Sequence, residues 1–446
     1  MYGCQCAKRL WLHKYMPELK DEEAAAQTAI FQQGTDVGLL AQQLFPGGVD
    51  VSPVDTYSYQ QSVADTARYI NEGHNIIYEA AFQYEGVLCA VDMLVKEDDG
   101  WVAYEVKSSC SVKPSFIHDA SLQYFVINNG GLALKNFCIV HLNNQYIRHG
   151  DLEINKLFCI ASVFQELLPL QPAVLQKVIK LKELVFQKDM PLVEMGKHCN
   201  NPYACNFQTY CSKDLEPELP DYGEAQLDEE ALQAFTSGLV YPLYFMDFET
   251  WMAAVPAYDG QWPYRQMNFQ YSVHVQHSPG AALQEHAYLA EGPHSPQLEF
   301  ISNLLDVLGT EGSIVVYNKA FENTRLKELK NDFPDHEPAI SAVQDRLVDL
   351  MVPFRRKEYY LPGMKGSYSI KNVLPALVPE LCYDNLAIGN GGDASAAFYK
   401  LKDEIDLVKI ATVRKDLLEY CGLDTLAMVK ILEKLSTAGD FVKTSI

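Results

Sequence analysis

The sequence predicts an α/β protein of two domains, and three observations carry that expectation. Its 446 residues exceed what a single core ordinarily serves. Residues Lys213–Glu230, KDLEPELPDYGEAQLDEE, hold eight acids and two prolines against one lysine, the composition of a solvated connector. On each side of it, three strand-like segments, a helix and a further strand follow in that order. The domains are therefore expected at 1–212 and 239–436, joined by an acidic linker over 213–238.

Hydrophobic residues make up 48% and charged residues 21%, the balance of a folded chain rather than a disordered one. No apolar run reaches the roughly 18–20 residues that span a bilayer. The first residues, MYGCQC, lead straight into a polar, basic segment without the pattern of a signal peptide, so a cytoplasmic location with no membrane partner is expected. A net charge of −22 speaks against holding nucleic acid by overall field, though it leaves room for a local basic groove. Eleven cysteines in so long a chain do not make a disulfide scaffold. Cys89, Cys110, Cys138, Cys159, Cys382 and Cys421 each sit singly in apolar or mixed runs and read as buried thiols.

In the first half, residues 21–45 read as helical up to Pro46-Gly47-Gly48. Strands are expected at Asn75–Tyr84, Gly86–Lys96 and Trp101–Lys107, the last two joined by an Asp98-Asp99-Gly100 turn. A helix over His118–Asn128 and a strand over Asn136–Leu142 follow. In the second half, Tyr241–Phe248, Asn268–Gln276 and Gln284–Leu289 read as strands. Ser295–Leu308, Ala320–Lys330 and Lys415–Leu435 read as helices, with a strand at Ser313–Tyr317 between the first two.

Acidic residues sit where this pattern least needs them. Asp247 and Glu249 lie two apart at the end of the apolar strand YPLYFMDFET, so both carboxylates share a face. Glu322 falls in the first turn of a helix after a buried strand, in SIVVYNKAFENTRLKEL. Tyr420 and Asp424, in LLEYCGLDTLAMVKIL, are four apart and stack on one helix face.

Taken together over Leu239 to Leu435, these motifs resemble the DnaQ-like DEDD exonucleases in their tyrosine-bearing subtype. D-x-E falls at Asp247 and Glu249, N-x-x-F-[DE] at Asn318 to Glu322, and Y-x-x-x-D at Tyr420 to Asp424. Glu322 departs from the usual Asp by one methylene. The resemblance implies a ribonuclease H-like (DnaQ-type) mixed sheet with helices. It also implies two Mg²⁺ or Mn²⁺ ions, an oxygen-ligand preference, held by Asp247, Glu249, Glu322 and Asp424. Tyr420 would orient the attacking water in 3′–5′ cleavage. The segment PFRRKEYYLPGMKGSYSIK adds Arg355, Arg356, Lys357, Lys365 and Lys371 among Tyr359, Tyr360 and Tyr368. Such interleaving suits single strands of DNA or RNA, or equally an ordinary surface loop.

In the first half, Asp92 in GVLCAVDMLVK and Glu105-Val106-Lys107 in WVAYEVKSS lie on neighbouring strands. Glu105 and Lys107 share a face, which by itself reads as a salt bridge. Gln123 follows in the helix DASLQYFVI. Cys6 stands at the start, and Cys199, Cys205 and Cys211 are spaced C-x5-C-x5-C at the end. This set resembles the RecB-like PD-(D/E)XK nucleases with iron–sulfur cysteines, a restriction-endonuclease-like core. The resemblance implies metal on Asp92 and Glu105, with Lys107 and Gln123 beside the reacting phosphate. Residues 34–45, GTDVGLLAQQLF, lack the family's early histidine, and Glu79 is the acidic substitute. Four thiolates fit a [4Fe–4S] cubane or zinc; the resemblance favours the cubane, with Cys6 rather than Cys4 as the fourth ligand. The two modules in tandem resemble a bacterial two-module family and imply a nuclease, DNA favoured, in repair, recombination or defence. The other reading is a nucleic-acid-binding scaffold whose sites are degenerate.

Overall fold

The computed structural model describes residues 2–23, 25–55, 58–213, 221–292 and 294–437. Contacts divide the chain into two units, Met1–Pro217 with Ala253–Arg265, and Glu218–Met252 with Gln266–Ile446. Seven residues of the expected linker, 214–220, lie outside the described residues.

The first unit holds a six-stranded sheet in sequence order: β1 (Val49–Asp50), β2 (Ile76–Tyr84), β3 (Val87–Glu97), β4 (Gly100–Lys107), β5 (Leu134–Leu142) and β6 (Phe158–Ser162). Strands β2, β3 and β4 form an antiparallel meander, while β1 joins β2 and β5 joins β4 in parallel. Glu85 and Gly86 both take positive φ, which suits the two-residue hairpin between β2 and β3. The longer helices of the unit are α1 (Ala7–Tyr15), α2 (Ala25–Ala41), α3 (Tyr59–Glu72), α4 (Pro114–Asn129) and α5 (Gln171–Val185). Ile77, Val91, Ala103 and Phe137 of the sheet pack with Phe125 and Ile127 of α4 in one core. A second core gathers Val37, Tyr104, Val140 and Leu157.

That second core also takes Ala254, with Val255 and Tyr264 packed against it. Arg148 donates to the carbonyls of Pro256 and Ala257 at 3.0 and 2.9 Å. Residues 253–265 therefore belong to the first unit, whereas the sequence reading drew 239–436 as unbroken.

The second unit holds β7 (Gln226–Leu227), α6 (Glu229–Ser237), β8 (Leu243–Met252), β9 (Gln266–Gln276), β10 (Gln284–Leu289), α7 (Gln297–Leu308), β11 (Ser313–Val316), α8 (Lys319–Asp332), β12 (Leu347–Asp349), β13 (Tyr359–Tyr360), α9 (Ile370–Leu377), α10 (Gly391–Lys400) and α11 (Leu407–Ser436). Its main sheet runs β10-β9-β8-β11-β12, with β9 antiparallel to both neighbours and β11 parallel to β8 and β12. Strand β8 continues four residues beyond Phe248, so Asp247 and Glu249 lie within it rather than at its end.

Strand β9 is buried at all but its two terminal residues, although every second residue is polar. The reason is α11, which covers it. Gln270 donates to the Leu417 carbonyl at 2.7 Å, and Ser272 and His274 each pair with Thr425 Oγ1 at 2.8 Å. These bonds satisfy groups that would otherwise be costly to bury, and they fix α11 on the sheet. Among the described residues, no helix is long and apolar enough to cross a membrane.

Candidate metal centre

Strand β8 supplies Asp247 and Glu249 from one face, and the fixed helix α11 supplies Asp424. One oxygen of each carboxylate lies within 4.8 Å of the others, the only such group among the described residues. Glu249 and Asp424 are each 7% exposed and Tyr420 is 4% exposed.

Glu322 arrives by a different route. Asn318 caps α8 in the left-handed conformation, φ +79°, a region Asn enters more readily than most residues. Its N–H donates to Asp349 Oδ1, which also accepts from the Met351 N–H. The turn drives the first turn of α8 inward, leaving Glu322 1% exposed and its Oε2 without a protein partner. Asp247, Glu249, Glu322, Tyr420, Asp424 and Lys371 line one cavity of about 260 Å³.

Buried acids this close cannot all ionise without a counter-charge. Burial, then Asp424, Glu249 and Glu322, hold the Asp247 carboxyl well above the usual range. Glu249 is pushed up to about 8 by burial and then Asp424, with Lys371 opposing. Burial pushes Glu322 to about 8, with Asp349 and Glu249 adding to it. Asp424 rises only to about 6, because Tyr383, Lys371 and Tyr420 offset its burial. Burial, then Asp424, raises the Tyr420 phenol and keeps it protonated. An orphaned carboxylate oxygen among clustered raised acids is a donor set suited to hard divalent cations.

The expected basic strip is a short helical turn, β13 and a 3₁₀ turn rather than a loop. Tyr360 is not available for stacking: it is buried, donates to the Tyr222 carbonyl at 2.8 Å and accepts from the Gly366 N–H. Tyr359 is half-buried against Phe354. Arg355, Arg356, Lys357 and Lys365 are exposed. Of the eight residues named in that strip, only Lys371 lines the acid cavity. Sequence reasoning missed Tyr383, whose hydroxyl reaches Asp424, and Gly391. A Cβ at Gly391 would lie 3.4 Å from Glu249 Oε2, which places the N-terminus of α10 in van der Waals reach of that carboxylate.

In the first unit, Glu79 of β2 lies between Tyr78 and Ala80, whose partners Met93 and Val91 flank Asp92 of β3, and Glu105 of β4 follows Tyr104, the other partner of Met93. Glu79 takes φ +56° there, strained for a non-glycine residue. Burial, then Glu105 and Asp50, push Glu79 up to about 7. Asp92 is held well above its usual range by burial, then Glu105 and Glu79, although its Oδ2 accepts the Val106 N–H. Lys107 donates to Glu105 Oε1 at 2.8 Å and to Asp119 Oδ2 at 2.7 Å. Burial works against its ammonium, but Glu105 and Asp119 outweigh that and raise its pKa. Gln123 donates to the Ala90 carbonyl and lies beside Glu105, whose carboxyl burial raises. Asp50 and Asp119 join this row without having been singled out from the sequence.

Cys6, Cys199, Cys205 and Cys211 line a single cavity, and Cys4 does not. Helix α1 brings Cys6 there by packing Trp11 and Leu12 against Phe207. Gln5 donates to the His198 and Tyr203 carbonyls at 2.8 and 2.6 Å.

Fold and site thus define a mixed α/β protein carrying a buried carboxylate cage. Residues 244–369 match the family described as Domain of unknown function (DUF2779). That span contains Asp247, Glu249 and Glu322 and stops short of Tyr420. The chain is 27% identical over 210 residues to "Uncharacterized protein UU173" of Ureaplasma parvum serovar 3, covering 42% of this chain and 30% of that protein. It is 28% identical over 209 residues to "Uncharacterized protein MG366 homolog" of Mycoplasma pneumoniae, covering 42% of this chain and 31% of that one. The match thus spans less than a third of each relative's length.

Proposed function

We propose that the chain is a metal-dependent nuclease that trims single-stranded nucleic acid, DNA favoured over RNA, from the 3′ end. The observation that carries this reading is the convergence of Asp247, Glu249 and Asp424 within 4.8 Å, with Glu322, whose Oε2 has no protein partner, in the same cavity. The sheet order β10-β9-β8-β11-β12, with only β9 antiparallel to the central strand, supports a ribonuclease H-like scaffold. Asp247, Glu249, Glu322 and Asp424 would hold Mg²⁺ or Mn²⁺, which neutralise the scissile phosphate and make a water nucleophilic at neutral pH. Tyr420, kept protonated beside Asp424, orients that water through its hydroxyl. Lys371 brings positive charge to the same cavity, where it would favour the phosphate group of the substrate.

In the first unit, the row Glu79–Asp92–Glu105 with Lys107 favours a second, RecB-like phosphodiesterase site on a PD-(D/E)XK core. Like charges on neighbouring strands are destabilising, so a cation there serves both stability and chemistry. The cavity lined by Cys6, Cys199, Cys205 and Cys211 supplies the four thiolates that a [4Fe–4S] cluster or a zinc ion needs, and the resemblance favours the cluster.

The test is an assay of 3′-labelled and 5′-labelled oligonucleotides with Mn²⁺. The reading expects label loss from the 3′ end before any internal product. Tight binding of the strand without cleavage, in either metal, would instead establish a scaffold with degenerate sites.

A further inference from the structure

The segment between α9 and α10 is pinned against the carboxylate cage at three points. Lys371 donates from Nζ to the Gly389 carbonyl. Gly391 brings the start of α10 against Glu249. Between them Tyr383, 8% exposed, donates its hydroxyl hydrogen to Asp424 Oδ1 at 2.6 Å. The Tyr383 and Tyr420 rings stand 6.3 Å apart, and the Lys371 ammonium lies 5.5 Å from the centroid of each. One cation therefore braces two tyrosines, of which one is on the same helix as Asp424 and the other comes from the facing segment.

From this geometry we infer that Tyr383 is a positioning residue for the metal cage, holding the Asp424 carboxylate in its ligating orientation. The inference rests on the metal-dependent reading above. An aspartate at mid-helix has two soft torsions, and the Tyr383 bond to one oxygen restrains its plane. Such outer partners of a metal ligand typically contribute about 10- to 100-fold in metal affinity. A tyrosine suits the position because its ring fills the buried space that its hydroxyl must cross. Its role differs from that of Tyr420, which faces the same cavity four residues before Asp424.

The experiment measures Mn²⁺ binding to the full chain by calorimetry and by electron paramagnetic resonance, with turnover followed against Mn²⁺ concentration. Tyr383→Phe should bind Mn²⁺ about 10- to 100-fold more weakly, with turnover recovering as Mn²⁺ is raised. Tyr420→Phe should keep the affinity and lose turnover at every Mn²⁺ concentration. A merely structural role would lower the folded fraction without moving the affinity of the folded protein. If wild type binds Mn²⁺ and Tyr383→Phe binds it equally, this inference alone is overturned. If wild type binds none, the metal-dependent reading falls and takes the inference with it. Should Tyr383→Phe not fold, Tyr383→His, which keeps a donor, must bind Mn²⁺ at least about 10-fold more tightly than Tyr383→Leu; equal affinities overturn the inference.

Discussion

The hydroxyl of Tyr264 donates to the carbonyl oxygen of Ser108 at 2.7 Å, and the Ser108 hydroxyl pairs with the Tyr264 hydroxyl at 2.6 Å. Ser108 directly follows Lys107 at the end of β4, and Tyr264 belongs to the stretch that separates β8 from β9 in sequence. Tyr264→Phe keeps the ring in its core and removes both bonds. It should lower the stability of the first unit by about 1 kcal/mol, the usual net worth of a partly buried hydrogen bond. Urea denaturation with unchanged slope checks this, and an unaltered midpoint contradicts it.

A fragment ending at residue 212 lacks Ala254, Val255 and Tyr264, and so exposes part of the core around Tyr104 and Val140. Arg148 also loses its two carbonyl acceptors. The fragment should unfold well below the first transition of the intact chain and bind a hydrophobic dye. Calorimetry of both proteins side by side decides it; coincident, equally cooperative transitions would show that residues 253–265 contribute nothing.

The raised carboxyls set a pH dependence in metal-free protein. Glu249 and Glu322 titrate near 8 in the folded protein and near 4.5 when unfolded. Between those values the folded state binds more protons, so stability falls as pH rises. Their contribution is fully present below about 4.5 and is lost through 8. Melting temperatures in a chelator should therefore drop across this window, and the gain from added Mn²⁺ should grow from pH 6 to 8. A chelated protein that melts higher at pH 8 than at pH 6 contradicts this origin.

The four-cysteine cavity predicts about four irons per chain after anaerobic purification, the content of one cubane. Cys199→Ala should lose the colour and destabilise the first unit, since Cys199 is the buried member of the set. Stoichiometric zinc with no iron would rule the cluster out.

The carboxylate cage was legible because its members fall at spacings that local geometry makes meaningful: two residues on a strand, four on a helix. The meander of the first unit was legible for the same reason, since Asp98-Asp99-Gly100 and alternating apolar residues announce it. What the sequence hid depends on tertiary contact. The polar face of β9 reads as solvent-facing until α11 covers Gln270, Ser272 and His274. Tyr360 looks like a stacking residue until its hydroxyl is seen spent on Tyr222. Strands β1, β6 and β12 are too short, at two, five and three residues, to carry a periodic signal. Tyr383 lies in irregular chain 41 residues from Asp424, a separation with no local signature.

The most direct test of the metal-dependent reading is the rate of 3′-end release from a single-stranded oligonucleotide by wild type, Asp247→Ala and Asp424→Ala in Mn²⁺. All three proteins are first matched for circular dichroism. The ligands of a two-ion site act as a unit, so each substitution should slow release by at least about a thousand-fold. If both variants stay folded and release the 3′ nucleotide as fast as wild type, the carboxylate cage is not the active site.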